Sequence, residues 1–284
     1  MTHSSRNRSP EVGVDIGATL AKLAIRSPEG DLSFDLMDAL DLEGVLRRIH
    51  DLAPKGPLGL TGCGAAKLAE RTDLENHPCT EFEAWGKGAN VLLDRQGRAV
   101  PASYLLVSLG TGTSMLKVEA GSTTRLGGTA LGGGTLLGLG GALTGASDHQ
   151  ALCALARKGE RDRVDLLVQH VYPEGVGDLP PEASASNFGL LARKHHAQVE
   201  SQDRAEDLAA SVIGLVAENV GLQSAAIAEA AGLTCIVYGG SALLGNPLMQ
   251  VLLAGIAAAS GREAILLADG SHAGAVGALE FATR

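Results

Sequence analysis

Two glycine–threonine segments, each following an alternating apolar strand pattern, are suited to binding a polyanion. The first is Gly17-Ala18-Thr19, after VGVDI; the second is Gly110-Thr111-Gly112-Thr113, after YLLVSL. Glycine lets the backbone approach a phosphate without a Cβ in the way, and threonine hydroxyls and exposed N–H groups donate hydrogen bonds. Either turn alone is typical of an ordinary β-hairpin. Two such turns facing each other predict a site that grips one triphosphate.

Two charged residues flank the first turn. Asp15 ends the first strand, where its carboxylate is placed to hold Mg²⁺ through water, because Mg²⁺ prefers oxygen ligands and keeps several waters. The alternative is an Asp that caps its own turn. Lys22 can present a cation to the phosphates, although a lone Lys in a strand is usually just solvated. Together with the turns, both residues favour a nucleotide site.

The most unusual segment is RLGGTALGGGT, which runs from Arg125 to Thr135. Each glycine within a helix or strand lowers stability by roughly 0.5–1 kcal/mol relative to Ala. A run this rich in glycine therefore needs a role that offsets the loss. A glycine-rich loop opening onto a helix N-terminus favours anions, which predicts that Gly133 and Gly134 bind phosphate through free N–H groups. Arg125 can pair with a substrate carboxylate. The alternative is a flexible surface loop with an exposed Arg.

The candidates for a general acid or base are Glu81 and Glu83, in the segment TEFEAW. Thr80 and Glu83 have the spacing of a capping box, so Glu83 is expected to satisfy the helix N-terminus, which leaves Glu81 for chemistry. The eight histidines lack metal-binding spacing, and we interpret them as solvated or structural. The four cysteines are far apart and never form a CxxC, so a zinc or iron–sulfur centre is not indicated.

Composition excludes several other classes of function. The chain has 284 residues, 45% of them hydrophobic, and a net charge of −9 with only 3% aromatic residues, which disfavours nucleic-acid binding. There is no P-loop sequence and no strict GxGxxG. The most apolar stretch, Leu208–Tyr238, is too often interrupted by polar residues to cross a membrane. Residues 1–11 are polar, without a signal-peptide h-region, and are predicted to form a disordered tail of a cytoplasmic protein.

Strands alternate with helices along the chain, which predicts an α/β fold. We expect an N-terminal lobe over residues 12–100, with the first turn and Glu81, and a C-terminal lobe over residues 101–284 that holds the second turn and the glycine-rich loop. Further predictions place a helix capped by Ser147 and another over Val164–Tyr172. The remaining predicted helices cover Leu42–Leu52, Thr80–Leu93, Ala205–Ala231, Pro247–Ser260 and the segment GSHAGAVGALEF, and separate strands cover Leu58–Thr61, CIVYG and Ala264–Leu267.

From Val12 to Leu279 the chain resembles the type II pantothenate kinases. The matching segments include VGVDIGATLAKL, EFEAWGKG, SLGTGTSML, TTRLGGTALGGGTLLGLGGALTG, ASASNFG, VYGGSALLGN and GAVGAL. The resemblance implies a two-lobed actin-like ATPase fold, of ribonuclease H-like type, with a mixed sheet in each lobe. It also implies a homodimer that transfers the γ-phosphoryl of MgATP to the primary hydroxyl of pantothenate, the first step of coenzyme A biosynthesis. Coenzyme A or its thioesters are implied as inhibitors.

The resemblance assigns roles to individual residues. It implies that Glu81 is the catalytic base, that Arg125 binds the pantothenate carboxylate, and that Thr111 approaches the substrate. Ser184 and Ala185 match a segment that reaches the pantothenate pocket of the partner subunit. Gly17, Thr19 and Lys22 match the first phosphate turn of the family, and Gly239, Gly240 and Ser241 match its adenosine segment. The second turn and the glycine-rich loop add Gly110, Gly112, Thr113, Gly133 and Gly134 to the predicted nucleotide-binding residues.

Two residues depart from the family pattern. Ala18 stands where a second glycine is usual, and a positive φ there would cost on the order of 1 kcal/mol and weaken nucleotide binding. Glu83 replaces the usual Asp, which a capping role tolerates. Three alternatives stay open: another kinase of the superfamily, such as one acting on an N-acetylated sugar; a catalytically silent nucleotide-binding regulator; and the ATPase activator of a radical dehydratase. The last needs clustered cysteines, which the chain lacks.

Overall fold

Two mixed sheets of five strands each carry the two glycine–threonine turns. In the computed structural model, which describes residues 9–177, 179–196 and 204–283, the first sheet has the order β3-β2-β1-β4-β5. Strands β1 to β3 form an antiparallel meander, and β4 and β5 continue the sheet parallel to β1. These strands are β1 (Glu11–Ile16), β2 (Leu20–Arg26), β3 (Leu32–Asp38), β4 (Leu58–Thr61) and β5 (Asn76–Pro78).

The second sheet repeats the same pattern, with the order β12-β11-β6-β7-β8. Its antiparallel meander is β6 to β8, and β11 and β12 are parallel to β6. The turn between β1 and β2 and the turn between β6 and β7 therefore occupy equivalent places, and the predicted α/β fold with a mixed sheet in each lobe is confirmed. The strands are β6 (Ser103–Leu109), β7 (Thr113–Glu119), β8 (Ser122–Thr129), β11 (Cys235–Gly239) and β12 (Glu263–Leu266).

Helices cover the sheets, and two very short strands pair separately. Central strands such as β6 and β11 are apolar along almost their whole length because both faces are covered. The separate strands are β9 (Leu166–Leu167) and β10 (Ser184–Ser186). The α-helices are α1 (Leu42–Leu52), α2 (Ala65–Ala69), α3 (Glu81–Arg95), α4 (Gly133–Thr144), α5 (His149–Ala156), α6 (Val168–Val171), α7 (Gly189–His196), α8 (Ala205–Ala230), α9 (Pro247–Ala259) and α10 (Ala273–Ala282).

Helix α8 packs on the second sheet, against β6, β8 and β11. By length and composition alone its 26 residues could cross a membrane, but 61% of its most apolar window is buried inside the protein. It packs against α4, α5 and α9, and its residues Val212, Ile213 and Val216 are fully buried. The apolar character of α8 is therefore accounted for by core packing.

Helices α3 and α10 pack together with almost no space between their backbones. A Cβ added to Gly88 would lie 1.8 Å from the Ala273 carbonyl oxygen, and one added to Gly277 would lie 1.8 Å from the Ala84 carbonyl oxygen. Helix α10 also packs against β1 and β4, so the end of the chain lies on the first sheet. The division of the chain into lobes at residue 100 stays a prediction.

Three local predictions were wrong. Asp148, not Ser147, caps α5, because the Asp148 carboxylate accepts from the Ala151 N–H. The Thr80 hydroxyl donates to the Glu83 carboxylate and makes no bond to the helix backbone, so the expected capping box is absent. The helix predicted over residues 164–172 is instead strand β9 followed by the single turn of α6. Of the predicted tail, residues 1–8 lie outside the described residues, and Glu11 already belongs to β1.

Candidate active site

The two turns face each other across a cavity of about 380 Å³. The hydroxyl oxygens of Thr19 and Thr111 are 3.3 Å apart, although they come from different sheets. Because the two turns approach this closely, a single polyphosphate can contact both. The predicted site residues that line the cavity are Asp15, Gly17, Thr19, Lys22, Glu81, Gly110, Thr111, Gly112, Thr113, Arg125 and Ser241.

Asp15 and Lys22 form a buried pair at the floor of the cavity. They are cross-strand partners in β1 and β2, and the Lys22 Nζ lies 3.5 Å from the Asp15 Oδ2. Burial raises the pKa of Asp15, and the Lys22 charge opposes this shift. The carboxylate fits between two glycines: a Cβ on Gly62 would lie 2.6 Å from Oδ1, and one on Gly274 would lie 2.6 Å from Oδ2. Gly62 also has a φ of +88°, which favours glycine.

Glu81 is the first residue of α3 and extends into the cavity opposite Asp15. Partial loss of hydration in the cavity raises the pKa of Glu81, the negative charge of Asp15 raises it further, and Lys22 acts in the opposite direction. Within the part of the chain that the structure describes, no hydrogen bond or ion pair occupies the Glu81 carboxylate. A carboxylate that is free and less acidic than usual is suited to accept a proton from an alcohol.

A β-bulge directs Arg125 into the cavity. Met115 pairs with Gly127 and Leu116 pairs with Arg125, so Leu126 is an extra residue in β8. Bulges of this kind re-aim neighbouring side chains. The guanidinium passes over Gly128, where a Cβ would lie 2.8 Å from the guanidinium nitrogen. Among the described residues Arg125 has no ion pair, so its charge is available to an anionic ligand.

The backbone of the first turn is unstrained at Ala18, the residue that departs from the family pattern. Ala18 has no positive φ, so the backbone strain that a positive φ would impose there is absent. Gly17 is the constrained position, because a Cβ there would lie 3.2 Å from the Leu20 carbonyl oxygen and 3.3 Å from the Lys22 Nζ. An alanine at position 18 is thus compatible with the turn geometry.

The glycine-rich loop holds the second turn through its own backbone. The Gly133 N–H donates to the Gly110 carbonyl at 2.8 Å, and the Gly134 N–H donates to the Thr111 carbonyl at 2.9 Å. The expectation that these two N–H groups are free for an anion was therefore wrong. Both glycines instead line a second cavity of about 220 Å³, which adjoins the first through Thr19, Gly110, Thr111 and Ser241. Their contact with a nucleotide stays a prediction.

Four of the predicted residues line neither cavity. Gly239 ends β11, and Gly240 lies between it and Ser241; Gly240 has a φ of +118°, and a Cβ there would lie 2.3 Å from the Leu109 carbonyl oxygen. Ser184 bonds instead to Arg161 at 2.8 Å and Glu218 at 3.0 Å. Ala185, the fourth of these residues, is exposed beside Ser184. The role of residues 184 and 185 in a partner's pocket stays a prediction.

Several residues that line the cavities were missed from the sequence. Trp85 is one helical turn after Glu81, and this spacing alone could have placed it on the same face of α3. His149 lines the second cavity, and no spacing in the sequence indicates that position. The other missed residues of the first cavity are Ala18, Leu20, Cys63, Ser108, Ser114 and Thr129.

The donor groups in the first cavity fit a magnesium ion. Asp15, Glu81, Thr19 and Thr111 offer carboxylate and hydroxyl oxygens, which a hard cation prefers. The described residues contain no group of three or more metal-ligating His, Cys, Asp or Glu side chains. Such a site suits an ion that keeps waters and binds substrate phosphates, rather than one enclosed by protein ligands.

Two repeated mixed sheets whose turns face each other across a cavity define the actin-like ATPase fold. The activator of the 2-hydroxyisocaproyl-CoA dehydratase from Clostridium difficile, with bound ADPNP, shares this fold with a TM-score of 0.64 at 16% identity, over 96% of this chain and 94% of that chain. A ROK family glucokinase from Streptomyces griseus, in complex with glucose and AMPPNP, has a TM-score of 0.56 at 16% identity, over 97% and 99% of the two chains.

Sequence comparison identifies the family. The Fumble family profile matches residues 81–280. The type II pantothenate kinase of Staphylococcus haemolyticus is 31% identical over 95% of this chain and 98% of its own length. That of Staphylococcus saprophyticus is 30% identical over 95% of this chain and 100% of its own length. The chain belongs to the Fumble family, the family of the type II pantothenate kinases.

Proposed function

We propose that this chain is a type II pantothenate kinase, which transfers the γ-phosphoryl of ATP to the primary hydroxyl of pantothenate in the first step of coenzyme A biosynthesis. Membership of the Fumble family supports this function. The observation that carries it is the first cavity, where the facing turns of Thr19 and Thr111, the carboxylate of Glu81 and Arg125, which has no ion pair among the described residues, lie together.

The acceptor is bound and activated by residues from three different elements. Arg125 pairs with the pantothenate carboxylate through charge-assisted hydrogen bonds. Glu81 accepts the proton of the attacking hydroxyl, which its raised pKa favours. Thr111 lines the same cavity, on the turn proposed to contact phosphate. Since these groups come from β8, α3 and the β6–β7 turn, relative positioning of the lobes sets the reaction geometry.

The donor lies along both cavities. The two turns and Lys22 hold the phosphates through backbone N–H groups, hydroxyls and one cation. Asp15, through water, would hold the Mg²⁺ that neutralises charge on the transferring phosphate when bound. The nucleoside occupies the second cavity, whose apolar wall suits a base. The cavity residues proposed to contact the donor are Gly17, Thr19, Lys22, Gly110, Gly112, Thr113, Gly133, Gly134 and Ser241. We also propose contacts from Gly239 and Gly240, which precede Ser241 outside the cavity linings.

An anionic alcohol fits this cavity better than a neutral sugar. A sugar kinase has no need of a free guanidinium close to its catalytic carboxylate, whereas pantothenate carries a carboxylate at one end and a primary hydroxyl at the other. The position of Arg125 in the same cavity as Glu81 therefore favours pantothenate over an N-acetylated sugar.

Further parts of the proposal concern assembly and regulation. We propose a cytoplasmic homodimer in which Ser184 and Ala185 reach the partner's pantothenate pocket, and in which coenzyme A or its thioesters inhibit by competing for the site. The net charge of −9 supports a protein that binds neither nucleic acid nor anionic membranes.

A coupled ADP-release assay tests the function. The wild-type chain is expected to release ADP from MgATP when pantothenate is present, with little release in its absence. Glu81→Gln should lower kcat by ~10²- to 10⁴-fold while ADP still binds, because only the proton acceptor is lost. Glu83→Gln is the matched control: Glu83 is in the same helical turn but outside the first cavity. Near-normal turnover by Glu81→Gln would refute the assignment of the base.

A further inference from the structure

The second cavity shares polar residues with the first cavity and is also lined by His149, which the first cavity lacks. Three of its four polar side chains, those of Thr19, Thr111 and Ser241, belong to the end shared with the phosphate turns. Apart from three glycines, the other residues that line it are apolar. A nucleotide whose phosphates lie at the turns and whose base lies in this cavity would therefore meet His149 as a polar side chain beyond the turns. The apolar lining residues are Leu20, Leu36, Leu137, Ala242 and Leu244, and the rest are Gly110, Gly133 and Gly134.

One hydrogen bond fixes the proton of the His149 ring. The Nε2 atom is 2.9 Å from the Leu244 carbonyl oxygen. A carbonyl oxygen can only accept, so Nε2 must carry the hydrogen. The Cys153 sulfur lies 3.5 Å from the same nitrogen and is a much weaker partner. In the neutral ring the other nitrogen, Nδ1, is then an acceptor, and no described residue donates to it.

The ring is held in place by a second contact of the same helix. At the end of α5, Arg157 donates to the Gly245 carbonyl at 2.9 Å. Residues at the two ends of α5 thus bind two consecutive carbonyls: His149 binds that of Leu244, and Arg157 binds that of Gly245. His149 and the cavity wall formed by Leu244 are consequently fixed relative to each other, which preorganises the acceptor.

We propose that His149 selects the base of the nucleotide, its Nδ1 accepting a hydrogen bond from the 6-amino group of adenine. A 6-oxo purine brings an oxygen acceptor to the same place, so it loses this bond and faces the lone pair of Nδ1. The inference rests on the proposed use of a nucleotide, and it adds the residue that discriminates between nucleotides.

Calorimetric titration of the full chain with ADP and with IDP, in the absence of pantothenate, tests the inference. The wild type is expected to bind ADP about tenfold more tightly than IDP, because ADP makes one hydrogen bond to Nδ1 that IDP cannot make. His149→Leu should weaken ADP binding by about five- to tenfold and leave IDP within about twofold. His149→Gln, which offers both a donor and an acceptor, should retain part of the preference for ADP.

Arg157→Leu separates recognition from structure, because it removes the other contact of α5 without altering a residue of the cavity. It should reduce the preference for ADP over IDP far less than His149→Leu does, because the His149 Nε2 keeps its own bond to the Leu244 carbonyl. Equal binding of the two nucleotides by the wild type, or equal weakening of both in His149→Leu, would overturn the inference, and so would failure to bind either. A preference for ADP without phosphorylation of pantothenate would support this inference and contradict the proposed function alone.

Discussion

We propose that Arg125 recognises the carboxylate of the acceptor, because the bulge at Leu126 turns it into the cavity and no ion pair with another described residue occupies it. We expect Arg125→Ala to raise the KM for pantothenate by roughly 10- to 100-fold, the value of hydrogen bonds to a charged group. Pantothenol lacks the carboxylate, so its KM should be unchanged. Steady-state kinetics with both acceptors measures the difference.

Arg98→Ala provides the control for that variant. Arg98 pairs with Glu263 at the surface, outside both cavities, so its loss should leave the kinetics with either acceptor unchanged. If Arg125→Ala impairs pantothenate and pantothenol equally, Arg125 has a structural role and does not recognise the carboxylate.

The raised pKa of Glu81 predicts the pH dependence of turnover. A base must be deprotonated, so activity is lost as the pH falls through the pKa of Glu81, and this acid limb should lie above the usual range of a glutamate. Lys22 lowers that pKa, so Lys22→Met should move the acid limb of kcat/KM to higher pH, in addition to any loss of phosphate binding. A limb that stays in place or moves to lower pH would contradict the electrostatic coupling.

At the scale of elements, the close contact of α3 and α10 determines the position of Glu81. Gly277→Ala would place a methyl group on the Ala84 carbonyl, so it should lower stability by roughly 1–3 kcal/mol and the Tm by several degrees. Because α3 begins at Glu81, kcat should fall too. The control is Gly138→Ala in α4, where nothing lies within 4 Å of the new Cβ and the Tm should be equal or higher. Equal Tm values for the two variants would show that the close contact of α3 and α10 does not contribute to stability.

Elements with strong local signals were predicted well from the sequence. Helix α1 and strand β4 have the predicted bounds, because Asp41 caps α1 and the short apolar run of β4 ends at a glycine. The bulge at Leu126 and the bonds from Gly133 and Gly134 were missed. They depend on the register between strands and on contacts of a loop with a distant turn, which no local periodicity encodes.

At the scale of the whole molecule, the sequence predicted two similar phosphate turns because the two strand–turn–strand patterns resemble each other. Their convergence follows from the topology: each turn joins the middle strand of its sheet to the next, and the two sheets have equivalent strand orders. The packing of α10 on the first sheet was beyond local prediction, since it joins segments at opposite ends of the chain. The apolar second cavity also arises only once distant segments meet.

Because each sheet supplies one of the two turns, a bound nucleotide that contacts both turns should stabilise the folded chain. ADP at 100 times its Kd should stabilise the chain by about 2.7 kcal/mol and raise the Tm by roughly 5–10 °C. The double variant Thr19→Val, Thr111→Val removes the two facing hydroxyls, which are exposed, so its Tm without nucleotide should be near that of the wild type. Its increase with ADP should be smaller at the same ADP concentration, because affinity is lower.

Thr124→Val is the matched control for thermal melts with increasing ADP: Thr124 is exposed on β8 and lines neither cavity, so its response should equal that of the wild type. A full response by the double variant would mean that the nucleotide does not use both hydroxyls. Loss of stability without ADP would instead assign the Thr19–Thr111 contact to folding. The smaller increase in Tm expected for the double variant requires both turns to contact one nucleotide. That shared contact is the geometric condition for phosphoryl transfer in the cavity between the turns.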